Sequence, residues 1–84
     1  MKLKLDLHDF YNKGDEIDRA LRSIIDEAVR TKASSVEIIH GKGSGQLRKR
    51  VQRFLDQGEV KKLYNRVEHD SPNFGRTFVH FRWK

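Results

Sequence analysis

What the sequence lacks already excludes several kinds of protein. Its 84 residues contain no cysteine, which excludes a disulfide framework, a thiolate zinc site and a cysteine nucleophile. A single proline, Pro72, and six glycines leave no linker that divides the chain, so we expect one domain over residues 1–84. No apolar run approaches the roughly 20 residues of a membrane span, and the charged first residues are not those of a signal peptide. We therefore expect a soluble, cytoplasmic protein without a membrane partner.

Positive charge is in excess. Lys and Arg number 18 against 12 Asp and Glu, which gives a formal net charge of +6 at pH 7, and the isoelectric point is about 9.9. Nucleic-acid-binding domains commonly have an isoelectric point above about 9, although basic proteins of membrane surfaces and ribosomes share this property. Much of the excess falls between Lys42 and Arg53. The charge therefore predicts a phosphate-bearing partner such as nucleic acid.

Hydrophobic periodicity predicts strands and helices in alternation. Residues 2–8 alternate between leucine and polar side chains, which is typical of a strand with one face in solvent. From Asp15, a good N-cap residue, apolar residues recur on one face of a helix up to Val29. A β-branched strand, a basic second helix that ends near Gly58 and two further strands follow, the three strands over residues 36–39, 60–68 and 76–83.

The predicted order, βαβαββ, indicates an α/β fold. We expect a two-layer sandwich with a mixed four-stranded sheet and two helices, in which the first two strands pair in parallel and the last two form an antiparallel hairpin. The order leaves open whether both helices cover one face of the sheet or one helix covers each face. The alternation in residues 2–8 favours one open face.

The topology brings polar residues to one edge of the sheet. His8 and His40 each end a strand, and ligands of parallel α/β sheets bind beyond such carboxyl ends. The glycine-rich loop leads into the second helix, whose free N–H groups favour an anion such as phosphate. Our catalytic candidates are Asp6, His8 and His40. Our phosphate-binding candidates are Gly41, Lys42, Gly43, Ser44, Gly45, Arg48, Lys49 and Arg53.

Several of these residues also have structural interpretations. His8 is compatible with a solvated position, and His40 with capping Ser44 or a backbone carbonyl. The loop lacks the Lys-Ser ending of a Walker motif, which excludes a P-loop. Tyr64 and Phe78 are candidates either for stacking on bases from the open sheet face or for burial. We assign no role to the two remaining histidines, His69 and His80.

Three segments in this order form a recognisable set. They are Leu5-Asp6-Leu7-His8, then His40-Gly41-Lys42-Gly43-Ser44-Gly45 with Leu47-Arg48, and then Gly75-Arg76-Thr77-Phe78-Val79. This set resembles the motifs of the Smr (small MutS-related) domain family, and the resemblance covers the chain from about residue 3 to 84. It implies a sandwich similar to the C-terminal domain of bacterial translation initiation factor three.

The resemblance also implies a function. Smr domains bind nucleic acid, and many are endonucleases that nick DNA or cleave RNA by phosphodiester hydrolysis or transesterification. The functional positions carried over are Asp6 and His8 from the first motif, and His40, Lys42 and Gly43 from the second. The family occurs at the C-terminus of MutS-type DNA-repair proteins and in stand-alone or fused proteins, and some members act on messages of stalled ribosomes. The implied partners are therefore DNA, RNA or the ribosome.

The substrate decides the expected mechanism. On RNA, one histidine would take the 2′-hydroxyl proton and the other would protonate the leaving oxygen, with Asp6 orienting His8 and without a cofactor. On DNA, water must attack, and a divalent cation (Mg²⁺ or Mn²⁺) held by Asp6 and Asp9 would be expected. Asp9 stands where the family commonly has Gly, and its carboxylate would either repel phosphate or help hold a cation. These ligands are too few to predict a metal site.

Two other classes of function stay open. A non-catalytic module that binds nucleic acid or the ribosome needs only the basic helix and the glycine-rich loop, and it predicts binding that weakens steeply with salt. A protein-interaction domain would use the acidic residues of the first helix, which are Asp15, Glu16, Asp18, Asp26 and Glu27. We rank the nuclease first, the binding module second and the interaction domain third.

Overall fold

The elements of the chain follow the predicted alternation, with one additional short helix. The structure is a computed structural model, and it describes residues 1–7, 14–41, 46–69 and 75–83. Within these ranges the chain forms, in order, β1 (Lys2–Asp6), α1 (Gly14–Thr31), β2 (Ser35–Ile39), α2 (Gln46–Leu55), α3 (Gly58–Lys61), β3 (Arg66–His69) and β4 (Arg76–His80).

The strands form one mixed sheet in the order β1-β2-β4-β3. β1 and β2 are parallel, with Leu5 opposite Ile38. β4 runs antiparallel to both of its neighbours, with Thr77 opposite Ile38 of β2 and opposite His69 of β3. The predicted mixed four-stranded sheet, the parallel first pair and the antiparallel hairpin are therefore confirmed.

Both long helices pack on the same face of this sheet. In β1 the leucines are half-buried while Lys2, Lys4 and Asp6 are exposed, so the alternation in the sequence separates a covered face from an open one. One apolar core joins Leu21 of α1 and Val51 of α2 to the inward residues of the sheet. This answers the question that the element order left open. Among the described residues, no helix is long and apolar enough to cross a membrane.

The predicted strand over residues 60–68 is wrong in its first half. Residues 58–61 form α3, and β3 begins only at Arg66. Val60, Leu63 and Tyr64 have the i, i+3, i+4 spacing of a helical turn, and Val60 is fully packed in the core. The Tyr64 hydroxyl donates a hydrogen bond of 2.8 Å to the carbonyl oxygen of Leu55. Tyr64 therefore closes the end of α2 and is not on the open sheet face.

The ends of α1 also differ from the prediction. The helix begins at Gly14, so Asp15 lies in the first turn and is not the N-cap. At the other end, Lys32 has a φ of 56°. The N–H of Ala33 donates to Ala28 at 2.9 Å, and that of Lys32 donates to Val29 at 3.3 Å. This is the Schellman pattern, in which glycine usually holds the left-handed position that Lys32 occupies here.

The chain after β4 closes the far end of the core. The predicted last strand over 76–83 is shorter than expected, because β4 ends at His80. Phe81 is buried, and its ring stacks on that of Trp83 with the centroids 5.7 Å apart. The indole N–H of Trp83 donates to the carbonyl oxygen of Ala33 at 2.7 Å. These contacts hold the C-terminal segment against the end of α1.

Candidate functional site

His40 follows β2 directly, on the helix-covered side of the sheet. The alternation of β2 turns Val36, Ile38 and then His40 inward, and His40 is only 6% exposed. Its Nδ1 atom lies 3.1 Å from the carbonyl oxygen of Gly41, and its Nε2 atom lies 2.9 Å from the hydroxyl oxygen of Thr77. Both ring nitrogens are therefore engaged inside the protein.

These contacts determine where the proton of the His40 ring resides. A carbonyl oxygen only accepts hydrogen bonds, so Nδ1 must donate to Gly41. Burial lowers the pKa of His40 below its ordinary value of 6.5, against the raising effect of the Gly41 hydrogen bond, and Arg48 and His69 lower it further. The neutral ring then carries a lone pair at Nε2, which accepts the Thr77 hydroxyl proton.

Thr77 links His40 to another histidine. The Thr77 side chain is 1% exposed, and its oxygen also lies 3.2 Å from Nδ1 of His69. Because Thr77 gives its proton to His40, its oxygen must accept from His69. The result is a hydrogen-bonded chain in which His69 donates to Thr77, Thr77 to His40, and His40 to the carbonyl of Gly41. We call these four residues the imidazole chain.

The backbone of Gly41 fixes the start of the glycine-rich loop. Gly41 has a φ of 74°, a conformation that disfavours residues with a side chain. The N–H groups of His40 and Gly41 both donate to the carbonyl oxygen of Gly75, each at 3.0 Å. The second motif is thus attached to the start of the third. The other predicted loop residues, Lys42, Gly43, Ser44 and Gly45, lie outside the described residues.

The predicted residues of the first motif are placed only in part. Asp6 is the last residue of β1 and lies opposite Ile39 in register. Its side chain is on the open face of the sheet, whereas His40 is on the helix-covered face. The structure therefore brings Asp6 and His40 to the same edge but on opposite faces. His8, and Asp9 beside it, lie outside the described part of the chain.

Three basic residues of α2 line one groove, and one of them also makes a structural contact. Arg50 forms two hydrogen bonds to Asp18 of α1, at 3.2 and 3.1 Å. Its guanidinium group covers Gly14, where an added Cβ would lie 2.9 Å from Nη2. Arg50 therefore fastens α2 to α1. Lys49 and Arg53 line the groove beside this contact, where their charges face solvent.

A second groove lies on the other flank of α2. It is lined by Arg48, Lys49, Gln52 and His69, and so lies between α2 and the end of β3. The imidazole of His69 is exposed here beside two cationic residues. Sequence reasoning missed His69. The alternation of β3 places Val67 and His69 on the helix-covered face of the sheet, and this is the feature of the sequence that could have indicated His69. Its contact with Thr77 depends on the register of the closing hairpin.

Carboxylates and histidines of the described ranges do not assemble a metal site. No group of three or more His, Asp or Glu residues in these ranges is placed to hold a metal ion. The divalent cation that a DNA substrate would need at Asp6 and Asp9 stays an expectation, because Asp9 is not among the described residues.

The chain with this sandwich fold and edge matches a known family of domains. A model of the Smr domain matches residues 5–82. The endonuclease MutS2 of Geobacillus kaustophilus is 35% identical over 85 residues, which cover 98% of this chain and 10% of that protein. The endonuclease MutS2 of Levilactobacillus brevis is 37% identical over 84 residues, with the same coverage. The chain therefore belongs to the Smr domain family.

A solved structure supports the fold directly. The crystal structure of the Smr domain of Thermus thermophilus MutS2 matches with a TM-score of 0.74 and 23% identity, over 96% of both chains. This confirms the two-layer fold expected from the sequence. The chain spans only 10% of the length of the curated relatives named above, so it corresponds to one module of those proteins.

Proposed function

We propose that this Smr domain binds nucleic acid along the basic surface of α2 and cleaves its phosphodiester backbone. The observation that carries the proposal is the buried His40, held by Gly41 and Thr77 at the carboxyl end of β2 and close to Arg48. A buried titratable ring at this edge of a parallel strand pair is typical of a functional site. The relatives that carry the name endonuclease agree with this interpretation.

Phosphate binding is the first step of the proposal. Arg48, Lys49 and Arg53 lie on two flanks of α2, each beside a groove. Cations at such positions neutralise phosphates and release the counterions of the nucleic acid. Lys42 and the glycines from Gly41 to Gly45 would continue this surface at the start of α2, where backbone N–H groups favour phosphate.

RNA is the substrate that suits imidazole groups best. The 2′-hydroxyl is an internal nucleophile, so a base and an acid suffice for cleavage without a cofactor. His8 would contribute from the first motif, with Asp6 to orient it. His40 takes part through Thr77, because both of its ring nitrogens are engaged and its ring is almost fully buried. The products would carry a cyclic phosphate and a 5′-hydroxyl.

A non-catalytic module is the second candidate. The two grooves beside α2 favour it, because binding to nucleic acid or to the ribosome needs only their charges. Either activity would serve a larger cytoplasmic protein, in DNA repair if the substrate is DNA or on stalled messages if it is RNA.

The test is a cleavage assay with the purified chain. RNA oligonucleotides and nicked or branched DNA are incubated with wild type, His8→Ala and His40→Ala, in EDTA and in Mg²⁺ or Mn²⁺. The matched control is His80→Ala, because His80 contacts Glu68 on the open sheet face. We expect cleavage of RNA in EDTA by wild type and the control only. Salt-dependent binding without cleavage of any substrate would contradict the nuclease proposal and support the binding module.

A further inference from the structure

We propose that His69 is the general base of this site and that the groove between α2 and β3 receives the phosphodiester of an RNA strand. The proposal rests on the nuclease function proposed above and assigns its base. It starts from the imidazole chain, of which His69 is the exposed end.

The direction of each hydrogen bond determines the tautomer of His69. Gly41 accepts from Nδ1 of His40, so Nε2 of His40 accepts from Thr77, and the Thr77 oxygen accepts from Nδ1 of His69. A neutral His69 then carries its proton on Nδ1 and its lone pair on Nε2. Nε2 lies on the other side of the ring from the Thr77 contact and is the atom available to take a proton.

The surroundings of His69 suit a phosphodiester. Arg48 and Lys49 of α2 line the groove with it, together with Gln52, whose amide donates to Asp56. His40, after β2, is a further titratable group close to His69, and Thr77 contributes a neutral hydroxyl from β4. A phosphate bound by the two cations would bring the adjoining ribose to the imidazole ring.

The reaction balances with solvent as the proton donor. Nε2 of His69 takes the proton of the 2′-hydroxyl as the O2′–P bond forms and the P–O5′ bond breaks. The leaving O5′ takes a proton from solvent, and His69 returns its proton to solvent. Thr77 and His40 are positioning residues in this scheme, because they hold the His69 ring through Nδ1 and do not touch the substrate.

The first experiment compares rates with an RNA oligonucleotide in EDTA. We expect His69→Gln to lower kcat by about 10²–10⁴-fold, the usual contribution of one proton transfer, with KM unchanged. His80→Gln is the matched control, since His80 is the next histidine along the chain and pairs with Glu68 on the opposite sheet face. It should keep the wild-type rate. Wild-type activity in His69→Gln would overturn the assignment of His69.

The second experiment tests the imidazole chain without any substrate. Nitrogen-15 NMR of the histidine rings should show the Nδ1–H tautomer for neutral His69 in wild type and in Thr77→Ser, and a changed tautomer population in Thr77→Val. An Nε2–H tautomer in wild type would overturn the proposal. A wild type that cleaves no RNA would overturn the proposed function and the base role of His69 together. The NMR spectra would then show separately whether the hydrogen bonds of the imidazole chain form.

Discussion

The hydroxyl oxygen of Thr77 lies 2.9 Å from Nε2 of His40, and this contact joins the second and third Smr motifs inside the core. It gives the threonine of the third motif a physical role. Thr77 satisfies the buried ring of His40, and it passes the contact on to His69 at 3.2 Å. The geometry of the candidate site therefore depends on one buried hydroxyl group.

Thr77→Val should destabilise the protein although it conserves volume. The valine leaves the buried Nε2 of His40 without its partner, and an unsatisfied buried polar group costs about 1–3 kcal/mol. Thr31→Val is the matched control, because the Thr31 hydroxyl donates to Glu27 at an exposed position. Its effect should stay within about 0.5 kcal/mol. Urea unfolding of both variants measures the difference, and equal losses of stability would contradict the role of Thr77.

The free energy of unfolding should fall as the pH drops below the ordinary pKa of histidine. Burial lowers the pKa of folded His40 below 6.5, so the unfolded chain binds a proton more readily than the folded one. The stabilisation is complete above pH 6.5 and is lost as the pH falls from 6.5 towards the folded pKa. Denaturant titrations at a series of pH values should show this in wild type and a flatter profile in His40→Gln. Identical profiles would mean that His40 is not buried in its neutral form.

Binding to RNA should depend on Lys49 and Arg53 and much less on Arg50. For a single strand, removing one cation that neutralises a phosphate reduces the slope of log K against log salt by about 0.7. Lys49→Ala and Arg53→Ala should each show this reduction in fluorescence titrations at several salt concentrations. Arg50→Ala removes the same charge, but Arg50 is engaged by Asp18, so it is the matched control. Three equal effects would show that only total charge matters.

Lys32→Gly should stabilise the protein. Lys32 holds the left-handed position that ends α1, with a φ of 56°, where a side chain is unfavourable and glycine is the common residue. The backbone strain that glycine relieves exceeds the extra conformational entropy that it loses on folding. We therefore expect the free energy of unfolding to rise by about 0.5–1 kcal/mol. Thermal and urea unfolding measure it. A decrease in stability would contradict the assigned conformation.

Much of the fold is predictable from the sequence because burial imposes strong periodicity. The leucine alternation of β1 and the helical apolar face of α1 both appear in the structure as predicted. The strand predicted over 60–68 is wrong where Val60, Leu63 and Tyr64 lie, because their spacing is helical. A short apolar segment does not distinguish a strand from a helical turn by composition alone.

The candidate site was predictable from the sequence only where its residues lie within a single strand or helix. The burial of His40 follows from the alternation of β2, and the basic surface follows from the residues of α2. The partnership of Thr77 with both His40 and His69 depends on the registers of two strand pairs. A shift by one residue in either register would turn these side chains to opposite faces. No spacing in the sequence specifies that register, so the sequence alone assigns His69 no role.

The rate of RNA cleavage in EDTA by wild type, Thr77→Ser and Thr77→Val tests whether the imidazole chain supports catalysis. The serine variant keeps the hydroxyl that joins His40 to His69, whereas the valine variant removes it. We predict cyclic-phosphate products from wild type and Thr77→Ser, and a rate lower by about 10²-fold or more in folded Thr77→Val. Equal rates in all three proteins, or no cleavage by wild type, would contradict the catalytic role of the chain.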